Sequence, residues 1–252
     1  METSSILAIA FTLVFSVVLP IGLMLFFRKK GGKWSTFFIG AAAFALFAML
    51  LEPILHNLLS LTPLWAVLRG NVWLYGLYGG LAAGVFEETG RFLAFRLVLK
   101  KEREPITALS YGIGHGGIEA ILLVGLTMVS NLALAALVSS GGTTDPGVLE
   151  AAAQLAATPA VMFLWAAVER LGAIVLHLSL SVLVFAAVRQ PGKTWLFPAA
   201  ILTHAAADFI AVVSNAYLPV AATEIIILIV AALAALFARK IYRTLPAADQ
   251  EI

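Results

Sequence analysis

Seven long apolar runs joined by short polar connections constrain this chain more than any other feature. They occupy roughly 6–27, 35–59, 72–98, 106–138, 159–188, 195–214 and 219–238. A helix needs about 20 predominantly apolar residues to cross roughly 30 Å of hydrocarbon. In lipid every backbone N–H and C=O must find its partner within the structure, which leaves helices as the natural spanning elements. The expected fold is therefore all-α, a polytopic transmembrane helix bundle of about seven spans. Only 12% of the 252 residues are charged and 62% are hydrophobic, with the deficit of charge spread along the whole length. Residues 1–252 thus read as one integral membrane domain. Glu2 is the only early charge, so the first run reads as a retained span rather than a cleaved signal. Cysteine is absent, which excludes disulfides, thiolate catalysis and thiolate-bound metal.

Basic residues mark one side of the bundle. Arg28, Lys29, Lys30 and Lys33 follow the first run, and Arg96, Lys100, Lys101 and Arg103 bracket the third connection. Arg189 and Lys193 follow the fifth run, while Arg239, Lys240 and Arg243 follow the seventh. These 13 of the 16 basic residues fall on alternate connections. The positive-inside rule then places the N-terminus outside and the C-terminus in the cytoplasm, as expected of a bacterial plasma-membrane protein. Clusters this short at span ends describe topology rather than a phosphate-binding surface, so lipid is the expected partner and nucleic acid is not. Most connections carry turn residues, such as Gly31-Gly32, Pro63, Pro105, Pro191-Gly192 and Pro219. The longer one, 139–158, predicts a short surface helix after Pro146. Gly76, Gly80 and Gly84 form a small-residue stripe that continues to Glu88 and suits close helix packing.

Ionisable groups lie far from both surfaces. They are Glu87, Glu88, Arg91, His115, Glu119, Glu169, Arg170, His177, His204 and Asp208. Each acid or base at mid-helix costs roughly 2.5–3.5 kcal/mol on insertion scales, a penalty that packing alone does not justify. Their depth is shared. Glu88 is 12 residues before Lys100, His115 is 12 after Arg103, His177 is 12 before Arg189, and His204 is 11 after Lys193. At 1.5 Å per residue these groups sit about 16–18 Å from the basic face, on four helices of alternating direction. Glu87 and Arg91, His115 and Glu119, and His204 and Asp208 are each one helical turn apart, so each pair shares a helix face. Glu87 and Glu88 diverge by about 100° on the helix, which predicts that only one aims directly at a common centre. Five acids against two arginines leave an excess of three negative charges, to be met by shared protons or a bound cation. His115, His177 and His204, with Glu119, could bind Zn2+ while a glutamate acts as base. A metal-free site with a glutamate base and polarising histidines satisfies the same residues. A proton- or cation-coupled transporter is the alternative use of such a cluster. Glu52 with His56, and Glu224, approach the outer ends of their spans and read as interfacial.

At these residues the chain resembles a known group of membrane peptidases. Glu87-Glu88-Thr89-Gly90-Arg91 is similar to the Glu-Glu-x-x-x-Arg motif of the CAAX-protease and bacteriocin-processing peptidases, with the arginine one position early. Tyr111-Gly-Ile-Gly-His115 matches their aromatic-x-x-x-His motif, and His204-Ala-Ala-Ala-Asp208 resembles their His-x-x-x-Asn motif with Asp for Asn. Phe86 to Arg91, Gly114 to Glu119, and Glu169-Arg170 with His177 resemble most closely the YhfC family of intramembrane metalloproteases, and Glu119 also resembles the carboxylate of PrsW-type peptidases. The likeness covers roughly 84–210. It implies hydrolysis of a peptide or membrane-protein substrate, with Glu87 or Glu88 activating water and His115 and His204 in the motif roles. It leaves Arg91 and Asp208 as site residues with altered facing and chemistry. Water is expected to enter from the cytoplasmic, basic side.

Overall fold

The computed structural model describes residues 1–246, all of its regular structure helical. The helices are α1 (Thr3–Lys29), α2 (Trp34–Ser60), α3 (Pro63–Arg69), α4 (Val72–Leu93), α5 (Ile106–Ser139), α6 (Pro146–Ala157), α7 (Ala160–Arg189), α8 (Leu196–Tyr217) and α9 (Val220–Tyr242). Six of them, α1, α2, α5, α7, α8 and α9, are long and apolar enough to cross a bilayer. The seventh expected span is α4, whose 22 residues are long enough but whose apolarity is diluted by Glu87, Glu88 and Arg91. The surface helix expected after Pro146 is α6, whose N-terminus is capped by Asp145 accepting from the Val148 N–H at 3.0 Å. The brief helix α3 lies in a connection read only as a turn from sequence.

The basic connections meet at one end of the bundle. Lys33 pairs with Glu102 at 2.8 Å, tying the α1–α2 turn to the α4–α5 turn. Arg189 at the end of α7 donates to the carbonyls of Phe95, Leu99 and Glu102, and Gln190 donates to the Thr244 carbonyl beyond α9. We call this end the basic face.

Small residues set the helix contacts that build the centre. α4 packs along α8, α2 along α5, and α7 along both α5 and α9. On α4 the stripe of Gly76, Gly80 and Gly84 lies against α8. A Cβ at Gly84 would come 2.7 Å from the Ile201 carbonyl, and one at Gly76 would press on Val212 and Phe209. On α5, Gly112 faces Leu178 and Ser181 of α7, Gly116 faces the His177 ring, and Gly114 lies against Phe37 of α2. Glycine here permits backbone approach rather than an unusual φ. α7 is the central helix, buried along most of its length. Leu180, Leu183, Val184 and Phe185 of α7 pack with Phe95, Tyr111, Leu196 and Ala200 into the main core, between the polar centre and the basic face. Three π-helical stretches interrupt the long helices at Phe47–Leu51, Ala94–Val98 and Ala120–Gly125. The last two follow Arg91 and Glu119 closely, in keeping with the frequent placement of such bulges beside functional groups.

Candidate metal and catalytic centre

The glycine stripe of α4 ends at the site it serves. Gly76, Gly80 and Gly84 bring α4 close to α8, and the next position on the stripe, Glu88, reaches His204, with Oε1 2.9 Å from Nδ1. Glu87, turned away from that seam, reaches α5 instead and lies 2.8 Å from His115 Nε2. Both glutamates therefore engage a histidine. They do so on different sides of α4: Glu87 borders the larger cavity, while Glu88 is fully buried behind it and also pairs with Arg91.

Partners across helices replace most of those expected along a helix. Arg91 pairs with Glu88 at 3.1 Å rather than with Glu87. The early position of the arginine leaves it three residues from Glu88, which is still one turn. Its other guanidinium nitrogen lies 3.1 Å from His177 Nδ1, and the group sits 5.9 Å from the Tyr111 ring. Glu119 does not hold His115. It pairs with His177 Nε2 at 2.5 Å and with Arg170 at 2.7 Å, because Gly112 and Gly116 bring α7 against that face of α5. Arg170 also pairs with neighbouring Glu169, so one guanidinium serves two carboxylates. The His204–Asp208 pair is kept, at 3.6 Å. An arginine donates to His177 Nδ1, so that nitrogen is an acceptor and Nε2 carries the proton offered to Glu119.

The three histidines form a row, with ring centroids 4.7 Å apart for His115 and His177 and 5.5 Å for His177 and His204. Donor atoms of Glu87, His115 and His177 all lie within 4.8 Å of one another. His204 and Glu119, also expected among the metal donors, lie outside this group and pair with Glu88 and Asp208, and with Arg170 and His177; His177 within it is likewise engaged at both ring nitrogens, by Arg91 and Glu119. His115 Nδ1 is buried with no hydrogen-bond partner, although buried polar atoms are nearly always satisfied. Two imidazoles, one carboxylate and an orphaned imidazole nitrogen fit a zinc-type ion, whose catalytic sites use three such donors and keep a position for water. His115 itself is fully enclosed, with Phe44 of α2 edge-on to its ring at 5.2 Å.

A cavity of about 440 Å3 reaches this centre. Its walls come from Glu87, Glu119, His177, His204 and Asp208 and extend to Glu169, Asn215, Thr223 and Glu224. On α7 the wall residues lie at or before His177, and on α8 at or beyond His204. On α9 they lie in the first turns. The cavity thus runs away from the basic face, where the main core fills the space. Water was expected from the basic side; the cavity extends from the centre towards the opposite end of α7 and α8. Glu224, read as interfacial from sequence, is part of the cavity wall. Glu88 and Arg91 are fully buried behind it, whereas the Asp208 side chain keeps 39% exposure. Glu52 and His56, read as interfacial, form a local network with Tyr78. Glu52 is buried and lies 3.1 Å from His56 Nε2, while His56 Nδ1 lies 2.5 Å from the Tyr78 hydroxyl. Their four-residue spacing was the available signal.

Comparison with known proteins identifies the chain's family. A family model described as YhfC intramembrane metalloprotease matches residues 15–239. The chain is 36% identical over 228 residues to the membrane protein YhfC of Bacillus subtilis (strain 168), covering 86% of this chain and 88% of that relative. No solved structure matches. With the match spanning α1 to α9 and all the residues of the buried centre, the chain belongs to the YhfC intramembrane metalloprotease family.

Proposed function

We propose that the protein is an intramembrane peptidase whose reaction centre is the Glu87–His115–His177 group at the floor of the larger cavity. The position of Glu87 carries this reading. Of the two adjacent glutamates it alone borders the cavity, and its close ion-pair partner among the described residues is His115. Glu88, bound by Arg91 and His204, is a structural partner of the site. Of the five site carboxylates, Glu88 faces Arg91 while Glu119 and Glu169 share Arg170, which leaves Glu87 and Asp208 as the two with no arginine in an ion pair among the described residues.

Glu87, His115 and His177 would hold a divalent ion such as zinc. When bound, it would polarise a substrate carbonyl and make water acidic enough to act near neutrality. A carboxylate has two oxygens, so Glu87 can be a donor through one and accept the proton of attacking water through the other. His204 lines the same cavity with its nitrogens towards Glu88 and Asp208, placed to pass a proton to the amine nitrogen as the C–N bond breaks. Glu119 fixes the His177 ring through Nε2–H, so the nitrogen a metal would take is Nδ1, in place of its contact with Arg91. By the positive-inside rule the basic face is cytoplasmic, so substrate and water approach from the other side of a bacterial plasma membrane. The one-sided cavity favours hydrolysis over coupled transport, which needs a polar route to both faces.

The test is cleavage of single-span membrane peptides by the purified protein in lipid nanodiscs, together with its zinc content. Cleavage and stoichiometric zinc, both lost in Glu87→Gln, are the expected result. Substrate transport that survives Glu87→Gln, with no peptide cleaved, would overturn it.

A further inference from the structure

A second cavity of about 350 Å3 lies beside the first, between α2, α3, α4 and α8. His56, Trp65, Tyr75 and Tyr78 form its outer walls, and it shares Asp208, Ala211 and Val212 with the larger cavity. Asp208 therefore stands on the ridge between the two spaces. Neither wall includes a lysine or arginine among the described residues. The aromatic side is firmly built. Buried Glu52 holds His56, and His56 takes up the Tyr78 hydroxyl, so the tyrosine contributes its ring to the wall rather than a free O–H. Trp65 packs edge-on to both Tyr75 and Tyr78, at 6.2 and 6.1 Å between centroids. One partly exposed carboxylate facing three aromatic rings and an imidazole is a chemistry that favours a cation with an apolar stem. A lysine or arginine side chain has that form.

We propose that this second cavity is the subsite for a lysine or arginine side chain of the peptide substrate, beside the bond to be cut. This rests on the reading that a peptide occupies the larger cavity. A chain lying there against His204 passes the Asp208 ridge, and a side chain directed over it enters the aromatic space. The cation then meets Asp208 while its methylene stem lies along Trp65 and Tyr75.

The experiment uses the intact protein in phosphatidylglycerol nanodiscs and labelled single-span peptides that differ at one position near the cut, carrying lysine, arginine, norleucine or glutamate. Affinity is read by fluorescence anisotropy and cleavage is read separately. Lysine and arginine peptides are expected to bind on the order of tenfold more tightly than the norleucine peptide, and the glutamate peptide most weakly. Trp65→Ala is expected to weaken the lysine and arginine peptides more than the norleucine peptide, closing the gap between them, and Tyr75→Leu gives the same reading if the tryptophan variant fails to fold. Equal affinities in the wild type, or selectivity that survives both variants, would overturn the subsite. So would equal weakening of all peptides by phosphatidylethanolamine, which would assign the space to a lipid amine. Selective binding without cleavage keeps the subsite and overturns the peptidase reading, while cleavage without selectivity does the reverse.

Discussion

The bundle on the two sides of its histidine row is built in opposite ways. Towards the basic face, α7 contributes Leu180, Leu183, Val184 and Phe185 to a core closed by Phe95, Leu196 and Ala200. Towards the other face, the same helix contributes Glu169, Gly172, Ala173 and His177 to the wall of an acid-lined cavity. One helix thus serves as a plug on one side and as a vessel wall on the other. The difference explains how buried charges are tolerated. The arginines and histidines sit where they can pair, the packed core closes one side of them, and the cavity on the other side reaches Glu87 and Asp208, the two carboxylates without an arginine partner.

The largest expected effect separates the floor of the cavity from everything around it. Glu87→Gln should lower peptide cleavage by on the order of 10²-fold or more, the scale of a lost general base, and should lower zinc content in the same preparation. On the closed side, Leu183→Ala should cost about 2–5 kcal/mol of stability through the cavity it leaves, with cleavage per folded molecule nearly unchanged. Unfolding in detergent measured beside the cleavage rate checks both halves of that statement. On the open side the pattern should invert. Ala211→Phe puts a ring into the space shared by the two cavities, and should weaken substrate binding by about tenfold, ~1.4 kcal/mol, while leaving the unfolding midpoint in place. The smallest effect belongs to the periphery. Asp145→Ala removes the cap of α6 and should cost ~1 kcal/mol in helix stability without changing cleavage, as read by hydrogen exchange in 146–157.

Much of the fold was legible because span length and charge placement are one-dimensional signals. The seven runs correspond to α1, α2, α4, α5, α7, α8 and α9, and the basic clusters do meet at one end, through Lys33–Glu102 and Arg189. The common depth of Glu88, His115, His177 and His204 was equally readable, since rise per residue is fixed in a helix. Partners were not. Turn spacing pointed to Glu87–Arg91 and His115–Glu119, whereas the structure pairs Glu88 with Arg91 and Glu119 with His177 and Arg170. Spacing reports which residues share a face but says nothing of which helix that face meets. The glycines decide the matter, by setting how near α8 comes to α4 and α7 to α5. The direction of the larger cavity was less legible, because it depends on which half of α7 its neighbours cover, although Glu169 and Arg170 in the first half against the leucines and valines of the second were a signal.

The central claim is that the buried centre is open to water from the face opposite the basic loops and closed from the other. The natural absence of cysteine makes this directly measurable, because single cysteines can be introduced without background. Ala211→Cys and Leu183→Cys lie on the two sides of the histidine row, and sealed vesicles of known orientation allow a membrane-impermeant maleimide to be applied to either face. The account predicts that Ala211→Cys is labelled only from the face opposite the basic loops, and that Leu183→Cys is labelled from neither. Labelling of Ala211→Cys from the basic face, or ready labelling of Leu183→Cys, would contradict it.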